Sequence, residues 1–187
     1  VALCRRLGVL TPEDSYPVWR SEDGHTVTVA PLFLLYDYTF RPPGTHTQAE
    51  GLDYARSTGV VCSDEYLLHP DPYPSREQWC RERVGATEHR LSALATPTVL
   101  VNHYPLLRAP TDVLRYPEFA QWCGTELTAG WPQRFDALAV VYGHLHIPRT
   151  TYHDGVRFEE VSLGYPREWK RRKAQAGQLR QILPVPG

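Results

Sequence analysis

Short apolar runs that end in histidine set the pattern of this 187-residue chain. Ala137 to Tyr142 is apolar throughout and β-branched at its centre, which predicts a strand covered on both faces. It runs into Gly143-His144-Leu145-His146, where the glycine is expected to let the backbone turn sharply as the strand stops. Pro97-Thr98-Val99-Leu100-Val101-Asn102-His103-Tyr104-Pro105 repeats the arrangement, a buried-strand pattern closing on a histidine and on a proline that prevents its extension. The interval between the two runs is long enough for the helical crossover that parallel strands need, and open α/β sheets place their sites at the carboxyl ends of such strands. The pattern therefore predicts an α/β fold in which His103, His144 and His146 gather at one sheet edge.

Punctuation supplies the rest of the outline. Leu3 to Leu7 has the pattern of a helix end stopped at Gly8, and Val18-Trp19 and His25 to Tyr36 form the strands of a hairpin. Asp23-Gly24-His25 falls between them and is expected to be its turn. Arg41 to about Pro74 is rich in proline and aromatics and is expected to be irregular, the kind of excursion that often carries function. Ser75-Arg76-Glu77-Gln78 has capping-box form, and Trp79, Val84, Thr87, Leu91 and Leu94 follow at helical spacing. A further helix is expected over Pro117 to Leu127. Near the end, Arg149 to Tyr152 and Val156 to Val161 flank Asp154-Gly155, a hairpin signal.

Composition narrows the class without naming a chemistry. Hydrophobic residues at 42% and charged residues at 22% suit an ordinary globular domain. A net charge of −1 argues against a nucleic-acid surface, no apolar run reaches the length of a membrane span, and no signal-peptide pattern opens the chain, so a cytoplasmic protein is expected. Cys4, Cys62, Cys80 and Cys123 are widely spaced with no C-x-x-C, which favours free thiols. The absence of methionine and the opening of the chain in mid-helix pattern give the expectation that an amino-terminal part lies upstream.

The histidines point to metal chemistry. With 13 glycines and 8 histidines in the chain, Gly-His-x-His is expected by chance only about 0.02 times. Neutral imidazoles at strand ends suit Zn, Fe, Ni and, with carboxylates nearby, Mn. A mononuclear zinc module built from the three histidines is one reading, although no fourth ligand has evident spacing. His46, His69, His89 and His153 lie in loop, helix-surface or turn contexts and are read as structural or solvent-facing.

A strand ending in His103-x-Pro105, followed by Asp136 ahead of a strand ending in Gly143-His144-x-His146, resembles the later motifs of the calcineurin-like metallophosphoesterases. The resemblance implies a two-metal centre in which His103 and His144 hold one divalent ion and His146 holds the other. It also implies a four-layer αββα sandwich of two mixed sheets between helices, with residues 1–187 forming the carboxyl-terminal portion of that single domain. The family's earlier motifs, D-x-H, G-D and G-N-H-[DE], do not occur here in a credible context. No catalytic residue is therefore assigned within these residues, and alone they are expected to bind at most one ion and to be inactive.

Longer stretches sharpen the likeness. Tyr36 to Gly44, Glu65 to Pro70, Arg115 to Phe119 and Ser162 to Trp169 resemble the actinobacterial phosphopantetheine hydrolases, which implies hydrolysis of the phosphodiester joining 4′-phosphopantetheine to acyl carrier proteins. Arg41 beside Tyr36, Tyr38 and Phe40, Arg149 just beyond the histidine site, and Tyr165 with Arg167 are the candidate substrate contacts, by cation–π and bidentate phosphate recognition. Lys170-Arg171-Arg172-Lys173 is either a solvated tail or a contact for an acidic partner. The rival from another class is a non-catalytic scaffold or interaction domain that keeps the fold after losing its metal motifs.

Overall fold

The computed structural model describes residues 1–170 and 179–184, in which the apolar runs assemble into a six-stranded mixed sheet. Its strands are β1 (Val18–Arg20), β2 (Thr26–Pro31), β3 (Thr98–Val101), β4 (Ala137–Tyr142), β5 (Arg149–His153) and β6 (Val156–Glu160). They lie in the order β1-β2-β3-β4-β6-β5. The four inner strands are parallel, and each edge is an antiparallel hairpin arm. The two histidine-terminated runs are the central strands β3 and β4, and Val99, Leu100, Ala139 and Val140 in them are buried, as strands covered on both faces require. Burying a valine or leucine side chain there stabilises the fold by about 1.5–3 kcal/mol.

Turn chemistry closes both hairpins as expected. Asp154 and Gly155 take φ of 48° and 80°, two successive left-handed residues of the kind that match the strand twist. Asp23-Gly24-His25 forms the other turn, closed by the Ser21 N–H donating to the His25 carbonyl at 2.9 Å. That turn precedes β2 and so lies at the end of the sheet opposite the carboxyl ends of β3 and β4.

Helices precede, connect and follow the strands. α1 (Ala2–Arg6) opens the chain, α2 (Gln48–Ser57) and α3 (Asp64–Leu67) follow β2, and α4 (Arg76–Leu91) precedes β3. α5 (Trp131–Arg134) leads into β4, and α6 (Pro166–Trp169) follows β6. Cys80, Val84 and Leu91 of α4 and Trp131 of α5 pack with Leu100, Val140 and Phe158 in the main core. On the opposite face Val27, Val99, Ala139 and Val141 pack with Ile182 and Leu183. All four cysteines are free.

Three expectations give way. The strand from His25 ends at Pro31, because the chain then leaves the sheet: the Leu34 N–H donates to the Asn102 side-chain oxygen at 3.3 Å, and Tyr36, Tyr38 and Phe40 are buried. The excursion after Arg41 holds α2 and α3 rather than irregular chain. Thr47-Gln48-Ala49-Glu50 is the overlooked signal, a capping box in which the Glu50 N–H donates to Thr47 Oγ1 at 3.2 Å and Glu50 Oε2 accepts from the Thr47 N–H at 3.3 Å. The crossover from β3 to β4 is built of 3-10 turns at Ala109–Val113, Pro117–Trp122 and Glu126–Thr128 before α5, where a longer helix was expected. Pro105, Pro110, Pro117 and Pro132 lack the N–H that continued α-helix needs.

Gly124 joins this crossover to the buried aromatics. Its φ is 150°, and a Cβ there would stand 2.8 Å from Phe40 Cε2 and 2.9 Å from the Pro105 carbonyl oxygen. Backbone strain and overpacking then act together, so Gly124→Ala is expected to cost roughly 3 kcal/mol of stability. A urea unfolding midpoint shifted by less than the equivalent of about 1 kcal/mol would contradict this packing.

Candidate functional site

The sheet itself builds the histidine cluster. β3 and β4 pair in parallel with Val101 opposite Val141, and the pairing continues past both strands: the Asn102 N–H donates to the Val141 carbonyl at 2.9 Å, and the Gly143 N–H to the His103 carbonyl at 3.1 Å. His103 and His144 therefore leave adjacent strands at the same level. His103 Nε2 and His144 Nδ1 are 3.0 Å apart. Gly143 does not supply the sharp turn expected of it; the left-handed residue is His146, with φ of 58°. The His146 N–H donates to Glu160 Oε1 at 3.1 Å, and its Nδ1 stands 3.1 Å from Glu168 Oε2.

Aromatic rings enclose His144. Tyr104 lies against it with centroids 4.5 Å apart, and Phe119 stacks at 5.9 Å. Its Nε2 is buried with no hydrogen-bond partner among the described residues. Burial, with His103 and His146 beside it, pushes the His144 pKa down to about 3. The His103 pKa is lowered as well, by burial first and then by His146. These are neutral imidazoles at physiological pH, the protonation state that metal ligation demands.

The three histidines line a cleft of about 890 Å³. Its other walls come from Thr58 to Asp64, from Leu114, Arg115, Tyr116 and Phe119, and from Tyr165, Arg167 and Glu168. The first wall is braced from behind by Glu65. Its Oε1 accepts from the Tyr38 hydroxyl and from Trp122 Nε1, each at 2.8 Å, while Arg76 donates to the Asp64 and Glu65 carbonyls at 2.7 and 3.0 Å. At the mouth, the Arg115 guanidinium sits over the Tyr116 ring at 5.4 Å and Arg167 over Tyr165 at 5.6 Å.

Of the candidate substrate contacts, Tyr165 and Arg167 reach this cleft, and Arg41 and Arg149 do not line it. Arg41 donates to the Tyr38 carbonyl at 3.3 Å, and Arg149 donates to the Pro110 carbonyl at 2.9 Å. Tyr36, Tyr38 and Phe40 fill core. Of the basic run, Lys170 is described, and residues 171–173 lie outside the described residues. Sequence reasoning passed over Glu160 and Glu168, which hold His146, and over Arg115 and Tyr116. Tyr165-Pro166-x-Glu168 carried a usable signal for the second glutamate, since proline at the first helical position with an acidic residue two later marks a helix start.

No family model matches the chain. The chain is similar to a phosphopantetheinyl hydrolase. The acyl-carrier-protein phosphodiesterase PptH of Mycobacterium tuberculosis is 58% identical over 188 aligned positions, which cover 100% of this chain and 57% of the relative. The crystal structure of phosphopantetheinyl hydrolase from the same organism matches with a TM-score of 0.95 at 58% identity, covering 100% of this chain and 66% of that one. The chain thus spans less than two thirds of the length of both.

The low His144 pKa has a thermodynamic consequence. A histidine whose pKa is depressed on folding takes up its proton on unfolding, so stability is retained above the unfolded-state value near 6.5 and falls as pH drops below it. The metal-free protein is expected to lose about 1–2 kcal/mol between pH 7.5 and pH 5 through this group. Urea midpoints measured across that range should fall for the wild type and flatten for His144→Asn. Equal slopes in the two proteins would show that His144 is not held neutral.

Proposed function

We propose that this chain carries the histidine ligands and the substrate cleft of a metal-dependent phosphodiesterase that removes 4′-phosphopantetheine from acyl carrier protein in the cytoplasm. The observation that carries the reading is the pairing of His103 Nε2 and His144 Nδ1 at 3.0 Å on the ends of adjacent parallel strands. That spacing suits neighbouring ligands of one ion as well as it suits a hydrogen bond. His144 has a second ring nitrogen that nothing among the described residues satisfies. A borderline nitrogen set of this kind suits Zn, Fe or Ni and, with carboxylates beside it, Mn.

The fit covers the histidine share of a two-metal centre. Among the described residues no group of three or more His, Cys, Asp or Glu is placed to hold an ion. The proposal assigns the carboxylate ligands and the leaving-group proton donor to the part of the relative's length that this chain does not span. It takes the fold as the second sheet of a calcineurin-like four-layer αββα sandwich, which puts His103 and His144 on one ion and His146 on the other. Two divalent ions held there would activate a water and neutralise charge on the phosphate oxygens.

The chain's own residues then account for recognition. Arg115 and Arg167 at the mouth supply cations for an anionic substrate and an acidic protein, and Tyr116 and Tyr165 supply flat apolar faces. Val60, Val61, Leu114 and Ile147 line the cleft with apolar surface suited to a flexible organic arm.

In the intact protein, hydrolysis of a bis-aryl phosphodiester is expected to require Mn²⁺ or Fe²⁺ and to cease with a chelator. His144→Ala and His146→Ala should each lower kcat by roughly a thousandfold, since losing a ligand removes water activation and charge neutralisation together. Full turnover in both variants would refute the metal assignment. For the carrier substrate, Arg115→Ala should raise KM roughly three- to tenfold at low salt and less at high salt, as a charge at the rim of an interface does. A KM that does not respond to the substitution at any salt concentration would remove Arg115 from the docking surface.

A further inference from the structure

Two glutamates hold His146. Its backbone is left-handed, a conformation uncommon outside glycine, asparagine and aspartate, and its N–H is anchored on Glu160 Oε1 at 3.1 Å. Glu160 is fully buried at the end of β6, and the same oxygen accepts from the Ser162 hydroxyl at 2.6 Å. The ring is fixed by a different group. Glu168 Oε2 lies 3.1 Å from His146 Nδ1 and accepts the Tyr165 N–H at 2.7 Å, so one carboxylate oxygen stands between the imidazole and the start of α6. The Tyr165 ring stands edge-on to the imidazole with centroids 4.8 Å apart, limiting its rotation.

A carboxylate oxygen only accepts, so a hydrogen bond across this 3.1 Å contact requires the proton on Nδ1. In the neutral imidazole that leaves the lone pair on Nε2. His146 lines the same cleft as His103 and His144. Carboxylate–histidine pairs orient metal-ligating imidazoles and raise their basicity. We propose that Glu168 is a positioning residue that holds His146 in the Nδ1–H tautomer and presents Nε2 to the metal site, while Glu160 holds the left-handed backbone from which the ring projects. This inference rests on the metal reading given above, and it gives the Tyr165-Pro166-Arg167-Glu168 turn a role in building the site as well as in lining it.

The test separates the two claims by reading the tautomer without metal. The intact protein is prepared metal-free with ¹⁵N-labelled histidine, long-range ¹H–¹⁵N spectra are recorded, and His146 is assigned by its loss in His146→Gln. The wild type is expected to show Nδ1 protonated and Nε2 unprotonated. Glu168→Ala should move His146 towards the Nε2–H tautomer and weaken Mn²⁺ binding in calorimetry by about ten- to a hundredfold. Glu168→Gln, whose side-chain oxygen can still accept from Nδ1 and from the Tyr165 N–H, should recover most of both. An unchanged tautomer and unchanged affinity in Glu168→Ala would overturn the positioning role, as would a Glu168→Gln protein as impaired as the alanine variant. If the tautomer shifts as expected but His146→Gln binds Mn²⁺ as tightly as the wild type, the metal reading itself has failed.

Discussion

The parallel register of β3 against β4 is the constraint from which the site follows. Because Val101 faces Val141 and the backbone pairing continues through Asn102 and Gly143, the two strands cannot slide without breaking hydrogen bonds beyond their ends. A one-residue slip would also send Val99, Leu100, Ala139 and Val140 to the wrong faces of a sheet buried on both sides. Core burial therefore fixes the relative height of His103 and His144, and the 3.0 Å contact between their rings is a by-product of apolar packing forty-one residues apart in sequence.

That precision carries an electrostatic cost. Packing His144 among Tyr104, Phe119 and His103 removes solvent that would stabilise an imidazolium, and the site is thereby committed to neutral nitrogen donors. The wall that closes the cleft on the far side is held by a separate polar hub. Glu65 and Arg76 together engage the Tyr38 hydroxyl, the Trp122 indole and the carbonyls of Asp64, Glu65 and Leu68, so a charged pair fixes chain that hydrophobic contacts alone leave adjustable. The cleft joins a sheet edge set by packing to a loop set by hydrogen bonds.

The sheet-edge half was legible in the sequence and the loop half was not, for a physical reason. Strand runs such as Thr98 to Val101 and Ala137 to Tyr142 announce themselves because burial on both faces demands uninterrupted apolar residues, and Asp154-Gly155 announces its turn because two left-handed residues are needed there. By contrast, Arg41 and Arg149 resembled phosphate contacts by proximity along the chain, yet each donates to a backbone carbonyl. Short-range sequence cannot tell a guanidinium that meets a ligand from one that satisfies its own fold. Tyr36, Tyr38 and Phe40 show the same ambiguity, since aromatics that suit a ligand also suit a core. α2 was readable from Thr47 and Glu50, but proline-rich surroundings outweighed a four-residue capping signal.

His146 differs from its two neighbours in how it is placed, and that difference bears on what the site can tolerate. His103 and His144 follow directly from strand hydrogen bonding, so substitutions that preserve the core leave them in register. His146 stands two residues farther on, in a left-handed turn, where no strand pairing reaches it. Its position depends on Glu160 at the backbone and Glu168 at the ring, both carboxylates supplied by chain that follows it in sequence. Burial raises the pKa of Glu160, which would disfavour a charged carboxylate, while the Ser162 hydroxyl and the His146 and Ser162 N–H groups oppose that shift by donating to it. The charge at this loop-borne imidazole therefore depends on the two carboxyl groups that contact it. The geometry of the third histidine is thus coupled to the charge of the site, whereas that of the first two is set by the sheet before any ligand arrives.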